Sequence, residues 1–208
     1  MFEKDTEMKK VDVIHPWMAN GFISSSNELR EMEDIGDEIW NELYWRSFFE
    51  DVKKDEFGDI TFKMHDLVHD LAQSVMDEEC QIVEVDRPIN MSNKRPPRYQ
   101  HLIACSKPLT TTPKQLQGVD SVRTLLYTEK EGYMNSSEFS VFEDYSRLRA
   151  FAAALEVSYD RTSITKVAPS IGRLKHLRYL RLSGKGITTL PDSICSLWNL
   201  QTLNLKGC

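Results

Sequence analysis

Two histidines and two aspartates share one short stretch, His65-Asp66-Leu67-Val68-His69-Asp70, and their types admit two chemistries. His65 and His69 stand one helical turn apart, a spacing at which two imidazoles can share a metal ion. The glutamate that serves as general base in the H-E-x-x-H zinc motif is absent, however, and no third ligand is evident, so no metal site is expected. His69 then reads as a partly exposed helix residue. The other chemistry is anion recognition. Ile60, Phe62 and Met64 alternate with Thr61, Lys63 and His65, the period of a half-buried strand; Leu67, Val68, Leu71, Ala72 and Val75 follow helical spacing. Met64, His65 and Asp66 therefore lie where a strand hands over to a helix N-terminus. Its unpaired N–H groups and positive dipole end suit a phosphate. A phosphate sensor and a capped structural turn are both open at this point.

The elements that must position this corner can be read on either side of it. Val11 to Phe22 has helical character around Trp17, Met18 and Phe22, with Pro16 required to sit in the first turn or to kink it. Ser25-x-x-Glu28 is a capping-box pattern that opens a second helix, on which Leu29, Met32, Ile35, Ile39 and Leu43 trace one apolar face. The aromatic set Trp40, Tyr44, Trp45, Phe48 and Phe49 is expected in the core. Ser47 to Val52 and Ile60 to Met64 bracket a polar, glycine-containing loop, the pattern of a hairpin. Helix, helix, two-stranded wing and helix is the plan of a winged-helix domain, expected over residues 1–86. Against Arg30 alone the second helix carries Glu31, Glu33, Asp34, Asp37, Glu38 and Glu42, so a DNA duplex would be repelled.

A formal charge of −6 over 208 residues likewise argues against a general nucleic-acid binder. The four cysteines, Cys80, Cys105, Cys195 and Cys208, form no C-x-x-C pair, which argues for reduced structural thiols. No apolar run approaches the roughly 20 residues of a membrane span. The charged Met1-Phe2-Glu3-Lys4-Asp5 is no secretory signal. A cytoplasmic or nuclear location follows by elimination. Residues 87–118, with Pro88, Pro96, Pro97, Pro108 and Pro113, read as a linker holding one short strand near Tyr99–Ala104. Its basic run Lys94-Arg95-Pro96-Pro97-Arg98 is expected to be solvated.

Residues 119–208 contain a repeat. Ile164, Val167, Ile171, Leu174, Leu177, Leu180 and Leu182 recur at Ile187, Leu190, Ile194, Leu197, Leu200, Leu203 and Leu205, each offset by 23 residues. Leu200-x-x-Leu203-x-Leu205-x-x-Cys208 fits the leucine-rich-repeat consensus, whose short strand lines the concave face of a solenoid. Lys185 stands where the previous unit should carry Asn or Cys. Leu148, Phe151 and Ala153 suggest one earlier strand, and Val122, Leu125 and Tyr127 another. The chain stops on a repeat strand with no cap, so a solenoid truncated at its C-terminal end is expected. The fold class is mixed α/β: a winged helix followed by the start of a leucine-rich-repeat solenoid.

Four ordered motifs carry a resemblance: Trp17-Met18-Ala19-Asn20-Gly21-Phe22, Tyr44-Trp45-Arg46-Ser47-Phe48-Phe49, the run Phe62 to Ala72, and the 23-residue repeats. Together they resemble the plant nucleotide-binding leucine-rich-repeat (NB-ARC) disease-resistance proteins of the coiled-coil class. Met1 to Asp5 is similar to the end of that family's motif before the winged helix, with Glu3 where proline is usual. The resemblance implies that His65 contacts the β-phosphate of ADP and holds the winged helix against the nucleotide-binding domain. Asp66 matches an aspartate whose loss releases that resting state. Met64, His65 and Asp66 are then the switch motif of an intracellular immune receptor, and the repeats mediate autoinhibition and recognition of a pathogen effector or host protein.

The 208 residues contain no G-x-x-x-x-G-K-[ST] phosphate loop and no magnesium-binding strand end. Enzymatic activity is therefore not expected, nor a cofactor for this chain alone; ADP or ATP belongs to a full-length parent. A different class of reading is a stand-alone repeat module that binds a protein through Arg181, Ser183, Asn204 and Lys206. A metal-dependent phosphohydrolase built on the His-Asp pairs is a third.

Overall fold

A computed structural model describes residues 4–24, 30–76, 79–84, 100–105, 121–128, 145–154, 167, 169–183, 187 and 189–208. The chain divides into two compact units, Met1–Asp77 and Glu78–Cys208. The division falls ahead of the expected boundary at residue 86, because Cys80–Glu84 pairs as a strand within the second unit. Charge is divided as well: residues 1–77 hold 19 acidic and 8 basic side chains, and residues 78–208 hold 13 and 18.

In the first unit, β1 (Met8–Lys9), α1 (Lys10–Asn20), α2 (Met32–Trp45), β2 (Phe49–Lys54), β3 (Ile60–Met64) and α3 (Asp66–Met76) follow in order. The three strands form an antiparallel sheet ordered β1-β3-β2. β1, too short to show a period, is absent from the sequence reading. α1 stops at Gly21, whose φ of 82° lets Gly21 N–H reach Met18 O and Phe22 N–H reach Trp17 O. Pro16 is the seventh residue of α1 and buried, where the sequence placed it in the first turn or at a kink. α2 opens at Met32 after Glu31, which makes no side-chain capping bond; the expected capping box, Ser25 to Glu28, lies outside the described residues.

The core of this unit forms where α2 crosses the wing. Trp40 stacks on Phe49 with ring centroids 5.3 Å apart and meets Phe62 edge-on at 5.3 Å, while Met8, Val13, Ile14, Met18 and Ile23 close around them. The ammonium of Lys10 lies 4.7 Å from the centre of the Trp40 ring and 3.1 Å from Asp37; both contacts offset the cost of burying that charge. Tyr44 still stacks on Trp40 at 5.6 Å but is partly exposed, and Trp45 is 82% exposed. Neither is the core residue that was expected. Five residues at about 100° each carry Trp45 roughly 140° around the helix from Trp40.

The second unit is a six-stranded parallel sheet in chain order: β4 (Cys80–Glu84), β5 (His101–Cys105), β6 (Thr124–Thr128), β7 (Ala150–Ala154), β8 (Tyr179–Ser183) and β9 (Thr202–Asn204). The linker strand is thus an interior strand, paired on both sides. Leu125, Phe151, Leu180 and Leu203 are successive register partners. The first three are buried and continue into Leu148, Leu174, Leu177, Leu182 and Leu197. Opposite the strands, the 3-10 turns Pro169–Arg173 and Asp192–Ser196 stack so closely that a Cβ on Gly172 would lie 2.7 Å from Ser193 O. Leu203, on the last strand, is 44% exposed.

Candidate functional site

His65 sits between β3 and α3, and three hydrogen bonds fix its place. Its N–H donates to Phe48 O at 2.9 Å, its carbonyl accepts from His69 N–H at 2.9 Å, and its Nδ1 accepts from Leu67 N–H at 3.2 Å. His65 is therefore the N-cap of α3, the capped turn that was one of the two readings left open for this corner. An imidazole nitrogen that accepts carries no proton, so the neutral ring holds its hydrogen on Nε2. The ring uses one nitrogen to close the helix and keeps a donor on the other.

Asp66 begins α3 and pairs instead with Lys4, whose ammonium lies 3.3 Å from Asp66 and 3.6 Å from Asp70. The hydrogen bond to Asp66, with smaller help from Asp70, holds the Lys4 ammonium above its ordinary range. Sequence spacing gave no sign of Lys4, which is distant along the chain. Around the same corner one carboxylate oxygen each from Asp5, Glu50 and Asp66, all exposed, lies within 4.8 Å of the others. Lys63 pairs with Asp51 at 3.0 Å and holds its carboxyl below the usual range. The corner thus has five carboxylates against two ammonium groups. A phosphate drawn by the helix end would need further cations to stay.

His69 is buried, contrary to its reading as a partly exposed residue; α3 turns that side toward the body of the unit. The acidic grouping of Asp5, Glu50 and Asp66 includes neither histidine. On the second unit, Arg181 and Asn204 are register partners on adjacent strands, and both are half-buried. Asn204 Oδ1 accepts from the exposed Lys206 N–H at 3.0 Å. Ser183 ends β8 beside Ala154. Arg181, Asn204 and Lys206 form one local group, with Ser183 at its margin. Lys185 lies outside the described residues. At the consensus cysteine, Cys208 Sγ is 3.4 Å from Leu182 O, to which the thiol donates.

Among the described residues no helix is long and apolar enough to cross a membrane.

Residues 1–72 match the family described as the disease resistance protein winged helix domain. Disease resistance protein RGA2 of Solanum bulbocastanum is 34% identical over 208 residues, covering all of this chain and 18% of its own length. RGA1 of the same species is 37% identical over 187 residues, 88% of this chain and 15% of that protein. ToMV resistance protein Tm-2(2) of Solanum lycopersicum is 25% identical over 211 residues, 99% of this chain and 24% of that protein. The chain therefore spans less than a quarter of the length of these relatives. Its first 72 residues thus belong to the winged-helix domain of disease resistance proteins, and the whole chain is similar to plant disease resistance proteins.

Proposed function

We propose that this chain is the winged-helix part and the first leucine-rich repeats of an intracellular plant immune receptor acting in the cytoplasm or nucleus. In this reading Met64-His65-Asp66 is the ADP-sensing element of a nucleotide switch, and the repeats serve autoinhibition and protein recognition. The observation that carries the first part is the His65 geometry. With Nδ1 engaged by Leu67 N–H, the Nε2 hydrogen remains for a phosphate oxygen at the positive end of α3. The repeat reading rests on six parallel strands in chain order, with the 23-residue offset preserved between Leu180 and Leu203.

One imidazole donor contributes about 1.5–3 kcal/mol even to a charged acceptor, an affinity weaker than about millimolar by itself. The acidic corner weakens it further. Binding therefore needs the phosphate loop and cations of a nucleotide-binding domain outside these 208 residues, and the chain acts as a switch element and not as an enzyme. Exchange of ADP for ATP, biased by a partner on the repeats, would release the winged helix. Titration calorimetry of this chain with ADP is expected to give no measurable heat; micromolar binding would overturn the half-site reading.

The adjacency of Arg181 and Asn204 favours a second reading, a protein-binding repeat module that works without a nucleotide. Deleting residues 1–77 separates the two: a module keeps its partner, and a switch-coupled surface loses its regulation.

A further inference from the structure

Helix α3 presents its apolar side to water. Leu67, Leu71 and Val75 recur at i, i+4 and i+8 and are 74%, 61% and 75% exposed, while the polar His69, on another side of the helix, is buried. At 1.5 Å per residue the three make a ridge about 12 Å long. An i+4 ridge of this kind fits the groove between ridges on another helix. Its surroundings set the charge of that helix. Between Asp66 and Met76 there is no lysine or arginine, and residues 1–77 are acidic by 19 side chains to 8. Asp66 and Asp70, although they share Lys4, keep 52% and 58% of their side chains exposed. Two copies of this face would set their carboxylates against one another, so self-pairing is disfavoured.

We propose that α3 is a docking ridge for an amphipathic helix of a partner protein, one that carries Lys or Arg beside its apolar stripe. The apolar contact would come from Leu67, Leu71 and Val75, and the orientation from Asp66 and Asp70. The proposal does not depend on the nucleotide reading, since it stands whether or not His65 has a ligand.

The test uses the full 208-residue chain and two fluorescein-labelled 18-residue helical peptides, one of Leu and Lys and one of Leu and Glu, with leucine at i, i+3, i+4 and i+7. Fluorescence anisotropy should show binding of the Leu-Lys peptide and none of the Leu-Glu peptide. Leu71→Glu should weaken binding of the Leu-Lys peptide at least tenfold, although an added negative charge would strengthen a purely electrostatic contact. Asp66→Asn with Asp70→Asn should weaken it severalfold and flatten its salt dependence. Maleimide labelling of Leu71→Cys in the native chain is a separate check, which covers a Leu71→Glu variant that fails to fold. Rapid labelling is expected. A protected cysteine, absence of Leu-Lys binding, equal binding of both peptides, or unchanged affinity in Leu71→Glu would each overturn the proposal.

Discussion

At the scale of single residues, two histidines each commit Nδ1 to a local contact. His65 closes α3 with Nδ1, and in the proposed switch it offers Nε2–H to a phosphate. His101 places Nδ1 3.0 Å from Thr124 Oγ1; burial, with the charge of Arg123 adding, lowers its pKa from 6.5 to about 4. The folded chain thus keeps His101 neutral where the unfolded chain would protonate it. Its stabilising contribution is complete above pH 6.5 and is lost as pH falls toward 4. Urea midpoints should therefore drop between pH 7 and pH 4.5, and drop less in His101→Gln. An identical slope in the variant would show that other groups, His15 among them, carry the effect; burial lowers the pKa of His15 too. Parts of the residue-scale picture were legible in advance: His65 at a strand-to-helix junction follows from periodicity alone. The capped turn was one of the two readings open there; Lys4 was not legible, because its contact with Asp66 leaves no local pattern. In the folded chain β1 pairs with β3, and Lys4, just ahead of β1, meets Asp66, just after β3.

At the scale of elements, the approach of α1 to α2 sets the unit that carries the corner. Gly36 lies inside α2 where a Cβ would collide with Ile14 Cγ2 and come within 3.2 Å of Ile23 Cδ1. Gly36→Ala would gain up to about 1 kcal/mol of helix propensity, but overpacking costs about 1–3 kcal/mol. The clash should win, and the urea midpoint should fall. A raised midpoint would mean that Ile14 yields and that the contact is not tight. The periodicities located α2, β3 and α3, because their apolar positions repeat over several turns or pleats. They failed where the burying surface was not the expected one. Trp45 follows the aromatic run yet points away from the wing, and Leu67, Leu71 and Val75 mark an apolar face that the first unit leaves exposed. β2 runs from Phe49 to Lys54, two residues later than expected, because Ser47 takes a left-handed φ of 60° after α2; Asp51, at 51°, accompanies a bulge in its pairing with β3.

At the scale of the whole molecule, an acidic first unit precedes a basic second one, and the two are built on different plans. The repeat of 23 residues exposed β8 and β9 in the sequence because identical spacing survives there. β6 and β7 were legible only in outline, since Leu125 to Phe151 and Phe151 to Leu180 span longer intervals. β4 carried no repeat signature at all. In the proposed switch His65 senses ADP only as part of a larger receptor. The most direct measurement joins these 208 residues to the preceding portion of RGA2 of Solanum bulbocastanum and follows release of bound ADP. A donor worth about 1.5–3 kcal/mol implies that His65→Ala releases ADP roughly ten- to a hundredfold faster than the parent chimera. Release at the same rate from both, or no retained nucleotide in the parent chimera, would contradict the account.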